Sequence, residues 1–257
     1  MSFYRIFNVA QNVFRETLRE QVLYLVLLFG FGLIATGTLV PMFTYDSANK
    51  LIADVGLAGI EVVGLIVAIF VGTSLLNKEI DKRTIFVLIS KPVSRGELIL
   101  GKHLGISGIL ALLTLVMAGL FVGYLSLQGV VLPLTAVLIA CGFIFMKLML
   151  VAAIAILFSS FTNALLATLL TLVSYLFGNF TEDLKALGAL VKDENIQRVT
   201  DALYLLLPNL SRADLKNQAI YGVLPQVGEL LNNGIYIFAY SLLLLAIAIL
   251  IFARREF

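Results

Sequence analysis

Residues 78–103 read KEIDKRTIFVLISKPVSRGELILGKH and form a charged stretch between two long apolar segments. The stretch contains six of the eighteen lysine and arginine residues of the chain, and its flanks are almost free of charge. Basic loops between membrane spans are typically retained on the cytoplasmic side. The pattern therefore predicts a membrane protein with a cytoplasmic loop that is long enough to hold a short helix and to dock a soluble partner.

The composition supports a membrane protein in the same way. The chain has 257 residues, of which 60% are hydrophobic and 13% are charged, whereas soluble globular chains contain about 25% charged residues. The basic residues flank apolar spans instead of covering a soluble face, so we expect no nucleic-acid partner. Cys141 is the only cysteine, so no internal disulfide is possible and no metal-ligand set surrounds it in the sequence.

Six apolar segments reach the length of about 20 residues that a helix needs to cross a bilayer, or come close to it. Lipid leaves backbone polar groups without partners, so helices are expected throughout. The six apolar segments therefore predict an all-α polytopic membrane protein that forms one transmembrane domain over residues 1–257. The segments are 21–41, 57–76, 104–125, 130–158, 164–180 and 235–253.

An even number of spans places both termini on the side of the 78–103 loop. That side then carries eleven of the eighteen basic residues, which predicts that both termini and the loop are cytoplasmic. Residues 1–20 have apolar positions at helical spacing, which is typical of a helix lying in the membrane interface. A plain cytoplasmic extension of the first span is the alternative.

The long connection between spans five and six, residues 181–234, lies on the outer side in this topology. A loop of this length without secondary structure would be unusual. Its apolar spacing favours short amphipathic helices that Pro208 and Pro225 end or bend. We therefore expect a helical extracytoplasmic loop over the outer face.

Enzymatic chemistry finds no support in the motifs. Residues 96–103 nearly match a phosphate-binding loop, but His103 replaces the required hydroxyl, bulky apolar residues fill the loop and no buried strand precedes it. His103 is the only histidine and is expected at a helix end in the interface, without the partners of a hydrolytic or zinc site. The sequence predicts no catalytic residue, no metal ligand and no cofactor on this chain.

Two ionisable residues are candidates for lining a substrate path, and two glycine pairs are candidates for close helix contacts. Lys147 lies deep in the fourth segment, where it either lines a substrate path or extends along the helix to the membrane boundary. Glu61 is either interfacial or part of the same path. The pairs Gly101/Gly105 and Gly119/Gly123 allow close helix packing, within one subunit or between two.

The charged stretch resembles the cytoplasmic coupling segment of ABC transporter permeases of the exporter class. In that family a Glu follows the second span, a Thr comes four or five residues later, and a Leu-rich turn, a Pro-Val/Ile-Ser-Arg element and a Gly-Lys pair follow. Arg83 departs from the glycine often found before the Thr, and residues 205–209 (LLLPN) look most like the subgroup linked to copper-enzyme maturation. The basic C-terminal tail also resembles the family. The matching positions are Glu79, Thr84, Leu88, Pro92, Val93, Ser94, Arg95, Gly101 and Lys102.

The resemblance implies the permease subunit of an ATP-driven exporter in a prokaryotic cytoplasmic (inner) membrane. It implies two ATP-binding cassette subunits that carry ATP and Mg, and a second permease copy, most simply a homodimer. A coupling helix between spans two and three would insert its apolar face into a groove on the ATP-binding subunit. The residues expected to couple are Glu79, Thr84, Ile85, Phe86, Leu88, Pro92, Arg95, Gly101 and Lys102.

Two other functions stay open at this point. The chain could be a membrane anchor or scaffold of an ABC-type complex, or a secondary carrier that needs no ATPase. The scarcity of buried charge disfavours an ion-coupled carrier, although backbone carbonyls can also build ion sites. The cargo cannot be read from aliphatic spans, because any lipid-facing helix has the same composition.

Overall fold

The computed structural model of the chain describes residues 3–20, 22–43, 48–81, 94–130, 133–190 and 194–254. Within these residues all regular structure is helical, which confirms the predicted all-α class. A 3-10 turn covers Ser211–Ala213. In chain order the α-helices are α1 (Phe3–Glu20), α2 (Val22–Phe43), α3 (Ala48–Asp81), α4 (Arg95–Leu127), α5 (Leu134–Ser159), α6 (Ala164–Asn179), α7 (Thr181–Leu190), α8 (Glu194–Leu206), α9 (Lys216–Tyr221) and α10 (Val227–Arg254).

Five of these helices, namely α2, α3, α4, α5 and α10, are long and apolar enough to cross a membrane. The fifth predicted span corresponds to α6, which has 16 residues. At 1.5 Å per residue it is about 24 Å long, shorter than the hydrocarbon core of about 30 Å. The chain is therefore a multi-pass membrane protein, but the predicted count of six spans is not confirmed.

The helices that flank the charged stretch extend further than hydropathy suggests. α3 continues to Asp81 and α4 begins at Arg95, so that each is about 50 Å long. Ser94 explains the start of α4, because its hydroxyl accepts the Glu97 N–H while the Glu97 carboxylate accepts the Ser94 N–H. The described helices thus take in both ends of the predicted loop 78–103, and His103 lies inside α4 instead of at a helix end.

α1 packs along the first turns of α4, and two glycines permit the close approach. A Cβ atom on Gly101 would lie 2.7 Å from the Cβ of Val9, and one on Gly105 would lie 2.7 Å from the Cβ of Val13. This pair of small residues therefore packs two helices of one chain. By contrast, a Cβ on Gly119 or Gly123 would meet nothing within 4 Å. The position of α1 relative to the membrane surface stays a prediction.

α5 lies at the centre of the bundle and contacts α3, α4, α6 and α10. Its residues 150–156 are buried almost without exception and include three alanines. Small side chains let α3 approach closely, since a Cβ on Gly72 would lie 2.7 Å from the Cβ of Ala155. The close packing of α3 and α5 determines which of their polar side chains can meet.

The segment that follows α8 folds back onto the bundle. The Leu210 N–H donates to the Gly178 carbonyl at 2.8 Å, and both Leu210 and Leu215 are buried. Pro208 and Pro225 both lie between helices. α9 then contacts α3 and α5, which brings a polar part of the connection into contact with the apolar helices.

Candidate functional site

The two ionisable residues that stand out within apolar helices form a buried ion pair. Lys147 of α5 places its Nζ atom 2.6 Å from Oε1 of Glu61 on α3, and their side chains are 1% and 3% exposed. Lys147 therefore points into the bundle, towards α3. Glu61 is equally enclosed and is not at an exposed interface. A charge inside a bilayer normally requires such a partner.

Tyr175, Asp214 and Lys216 surround this ion pair. We call the five residues together the charge cluster: Glu61, Lys147, Tyr175, Asp214 and Lys216. The Lys216 Nζ atom lies 2.5 Å from Glu61 Oε2 and 3.4 Å from Asp214 Oδ2. The Tyr175 hydroxyl donates to Glu61 Oε1 at 2.7 Å. Lys147 Nζ lies 4.0 Å from Asp214 Oδ2 and 5.4 Å from the centre of the Tyr175 ring. Glu61 is the common partner of both lysines and the tyrosine.

The formal charges of the cluster sum to zero, because two carboxylates face two ammonium groups. This balance matters because an uncompensated buried charge is strongly destabilising. Burial lowers the pKa of Lys216, but the hydrogen bond to Glu61 and the attraction of Glu61 and Asp214 raise it by more, so the pKa lies above its usual value. Lys216 is therefore a cation at physiological pH.

A partly open cavity of about 350 Å³ adjoins the charge cluster. Glu61, Tyr175, Asp214 and Lys216 form its polar wall, and Leu176 and Phe180 contribute apolar surface. The cavity thus offers a carboxylate and a hydrocarbon surface side by side.

Sequence reasoning singled out Lys147 and Glu61 separately but did not pair them. It missed Tyr175, Asp214 and Lys216 altogether. The two charged residues lie in the long connection, where charge normally indicates a solvated surface. One signal is present in the sequence, since Asp214 and Lys216 flank the apolar residue Leu215, which the structure shows to be buried.

A second polar region, which we call the anchor region, lies where α4 begins and comprises Ser94, Arg95, Glu97 and Lys102. Arg95 Nη1 donates to the Phe252 carbonyl at 2.7 Å and to the Ala253 carbonyl at 3.2 Å. These carbonyls belong to the last turn of α10, where intrahelical donors are lacking and a cation is favourable. Arg95 thus ties the start of α4 to the end of α10.

Lys102 adds a link between α4 and α3. Its side chain is buried, and Nζ donates to the Leu75 carbonyl at 2.5 Å. The next residue of α4 is His103, whose side chain is also buried and whose Nε2 lies 3.2 Å from the Met149 carbonyl on α5. The near match to a phosphate-binding loop, residues 96–103, is therefore helix throughout and packs against other helices.

Of the remaining predicted coupling residues, only Glu79 belongs to a described helix. Glu79 lies on α3 one turn after Leu75, and its side chain is outside the described residues. The coupling function of all these positions stays a prediction. Thr84, Ile85, Phe86, Leu88 and Pro92 lie outside the described residues, as does the predicted coupling helix.

No group of three or more metal-ligating side chains comes together in the part of the chain that the structure describes. Comparison with protein families gives one match. The model of a family described as ABC-2 family transporter protein matches residues 33–257. The matched range contains both the charge cluster and the anchor region. No match was found among curated proteins.

Proposed function

The chain belongs to the ABC-2 transporter family, and from this premise we propose that it is the permease subunit of an ATP-driven exporter. A separate ATP-binding subunit would bind ATP and Mg and supply the energy. The family match over residues 33–257 is the observation that carries this proposal. Membership makes the chain a membrane component of an ABC transporter, and the coupling and the direction of transport are what we add.

The anchor region supports the coupling step. Residues 82–93 connect α3 to α4, and the start of α4 is fastened to three other helices. Arg95 binds the end of α10, Lys102 binds α3, and Gly101 packs against α1. A force applied to the connecting loop by a partner would therefore act on α1, α3 and α10 together. Packed helices transmit such movements as rigid bodies.

We propose that the working complex contains two permease chains and two ATP-binding subunits, with a homodimer of this chain as its core. Symmetric closed assemblies are the usual outcome for a single type of subunit. Both termini and the 82–93 loop would lie in the cytoplasm of a prokaryotic cell, because short basic segments are retained there. The basic residues near Arg95 and Arg254 support that orientation.

Glu61 and Lys147 are our candidates for the translocation path. Both are buried in the bundle, and a partly open cavity adjoins Glu61. Ionisable residues within spans commonly mark such paths. The proposed cargo route therefore passes the charge cluster.

Affinity purification of the tagged chain, co-expressed with its ATP-binding subunit, tests the proposal directly. We expect a stoichiometric ATP-binding subunit and ATPase activity in the eluate. Arg95→Glu should lose the subunit or its coupling to transport, as should Glu79→Ala. Arg15→Glu is the matched control, because Arg15 is an exposed arginine on α1.

Two results would contradict the exporter. If the folded chain purifies alone and supports flux without ATP, it is a secondary carrier. If the complex hydrolyses ATP but moves no substrate, the chain is an anchor or scaffold. Unchanged co-purification and transport in both Arg95→Glu and Glu79→Ala would remove the coupling assignment even if the chain is a permease.

A further inference from the structure

The charge cluster divides into two halves, each of which is neutral by itself. Glu61 and Lys147 belong to the long helices α3 and α5 and pair at 2.6 Å. Asp214 and Lys216 belong to the connection between α8 and α10 and pair at 3.4 Å. The backbone N–H of Lys216 also donates to Asp214 Oδ1 at 3.3 Å, which helps to keep this second pair together.

Separation of the two halves would therefore leave no charge without a partner. This differs from an ordinary buried salt bridge, where separation leaves each ion buried without a partner, which is strongly unfavourable. The close link between the halves is the contact of Lys216 Nζ with Glu61 Oε2 at 2.5 Å. When Lys216 leaves, Glu61 keeps Lys147 and Tyr175 but loses the donor on its second carboxylate oxygen.

We propose that the Glu61 carboxylate, in the wall of the cavity that Tyr175 also lines, is a binding site for the primary ammonium group of an amphiphilic ligand, and that Lys216 occupies this site in the structure. The inference rests on the proposed permease function, because it gives the charge cluster a ligand class. A primary ammonium has the same three N–H donors as the lysine that it displaces. In the structure Oε2 of Glu61 accepts one N–H of the Lys216 ammonium group at 2.5 Å.

The cavity beside the site accommodates the remainder of such a ligand. Its volume of about 350 Å³ falls in the range of small-molecule pockets. Leu176 and Phe180 line the cavity next to Glu61, so a hydrocarbon chain would lie on them while the ammonium group reaches the carboxylate. The Lys216 side chain is 20% exposed, whereas that of Glu61 is 3% exposed, so the lysine is the member of the pair nearer to the opening.

Lys216 acts in this arrangement as a tethered competitor. A site that is free in about one-tenth of the molecules binds its ligand about tenfold more weakly than a site that is always free. Replacement of Lys216 by methionine keeps the length and apolar stem of the side chain but removes the ammonium. We expect Lys216→Met to tighten the apparent Kd for an ammonium amphiphile about tenfold.

Radiolabelled dodecylamine is the probe, and its binding is measured on the full chain in lipid nanodiscs after subtraction of binding to empty nanodiscs. Dodecanol and dodecyltrimethylammonium are the comparison ligands, since the first has no charge and the second has no N–H donor. Lys185→Met is the matched control. Lys185 is a lysine of α7 that lies over the Tyr204 ring, 4.4 Å from its centre, away from the charge cluster.

The proposal expects saturable binding of dodecylamine that Lys216→Met tightens and Lys185→Met leaves unchanged. Glu61→Gln should abolish it. Because Glu61→Gln alone leaves Lys147 with a weaker partner and can impair folding, the double variant Glu61→Gln/Lys147→Met removes the pair without leaving an isolated charge. It should fold and not bind dodecylamine.

Equal binding of dodecanol, or the same Kd in wild type and Lys216→Met, would overturn the ammonium site. Retained binding in the folded double variant would do the same. The assay uses neither ATP nor a partner subunit. Its failure, together with ATPase coupling in the co-purification experiment, would remove only the ligand. Specific dodecylamine binding, together with failure to co-purify any ATP-binding subunit, would remove only the exporter.

Discussion

Substitution of Gly101 by alanine tests the packing of α1 on α4. A Cβ atom at this position would lie 2.7 Å from the Cβ of Val9 and 2.9 Å from the carbonyl oxygen of Ile6. Ordinary contacts of a Cβ atom are about 3.5–4.0 Å. The Ile6 oxygen belongs to the backbone of α1 and cannot rotate away. The added methyl group therefore has to push α1 away from α4 by several tenths of an ångström.

The size of the effect follows from two opposing contributions. Forcing one extra methyl group into a closely packed contact costs about 1–3 kcal/mol. Alanine in a helix interior is more favourable than glycine by about 0.5–1 kcal/mol. Subtracting the gain from the cost gives a net destabilisation for Gly101→Ala of about 0–2.5 kcal/mol, with a midpoint of about 1.2 kcal/mol.

Gly123→Ala is the matched control on the same helix. A Cβ atom at Gly123 would meet nothing within 4 Å, so only the helix contribution remains. This substitution should be neutral or should stabilise the chain by up to about 1 kcal/mol. Of the two glycine-to-alanine changes in α4, only Gly101→Ala is therefore expected to destabilise the chain.

Thermal unfolding of both variants in one detergent measures the difference. For a chain of this size 1 kcal/mol corresponds to about 2–4 °C in Tm. We expect Gly101→Ala to lower Tm by about 2–5 °C, which corresponds to the midpoint of the range, and Gly123→Ala to leave Tm unchanged or raise it. Faster proteolysis of α1 in Gly101→Ala would locate the effect. Equal shifts in the two variants would refute the close packing of α1 on α4.

Three further outcomes follow from the polar contacts. Lys147→Met should destabilise the chain by up to about 3–5 kcal/mol, and the double variant Lys147→Met/Glu61→Gln should destabilise it by much less. Thermal unfolding of the two variants measures the difference, and a double variant that is no more stable than the single one would contradict the pairing. Arg95→Gln should loosen the end of α10 by removing its bonds to the carbonyls of Phe252 and the next residue, which faster amide exchange in the last turn of α10 would report and unchanged exchange would contradict. The pKa of Lys216 is raised in the folded chain, so the stabilisation by its charge is complete below pH 10.5 and is lost only as the pH rises through the pKa of the folded state. The difference in Tm between wild type and Lys216→Met should therefore be constant from pH 7 to 9. A difference that declines within this range would show that Lys216 loses its proton there.

The class of the protein and its family could be predicted from the sequence because both depend on local patterns. Apolar runs of about 20 residues identify most membrane helices, and the residues from Glu79 to Lys102 carry a recognisable motif. Hydropathy alone gave the wrong bounds for α3 and α4. Polar residues continue a helix as readily as apolar ones, and the cap at Ser94 sets the start of α4 nine residues before the apolar segment predicted there.

The α6 segment shows a different limit. Its composition is as apolar as that of the long helices, and a hydropathy window counts it as a span. Asn163 caps its start by accepting the Leu166 N–H, and the helix ends at Asn179. Gly178 then receives the returning chain, since its carbonyl accepts the Leu210 N–H. Length in the folded chain depends here on a contact about 30 residues away, which no local window contains.

The charge cluster was the least accessible feature for the same reason. Glu61 and Lys216 are 155 positions apart, and the Tyr175 hydroxyl reaches Glu61 across 114 positions. Lys147 alone in an apolar helix already required a partner, because an isolated charge in lipid is costly. The number of buried charges was also constrained, since a neutral sum needs one carboxylate for each lysine. That condition limits the partner of Lys147 to acidic residues that can reach α5. Only the fold brings Glu61 within 2.6 Å of Lys147 and adds a second neutral pair from the connection between α8 and α10.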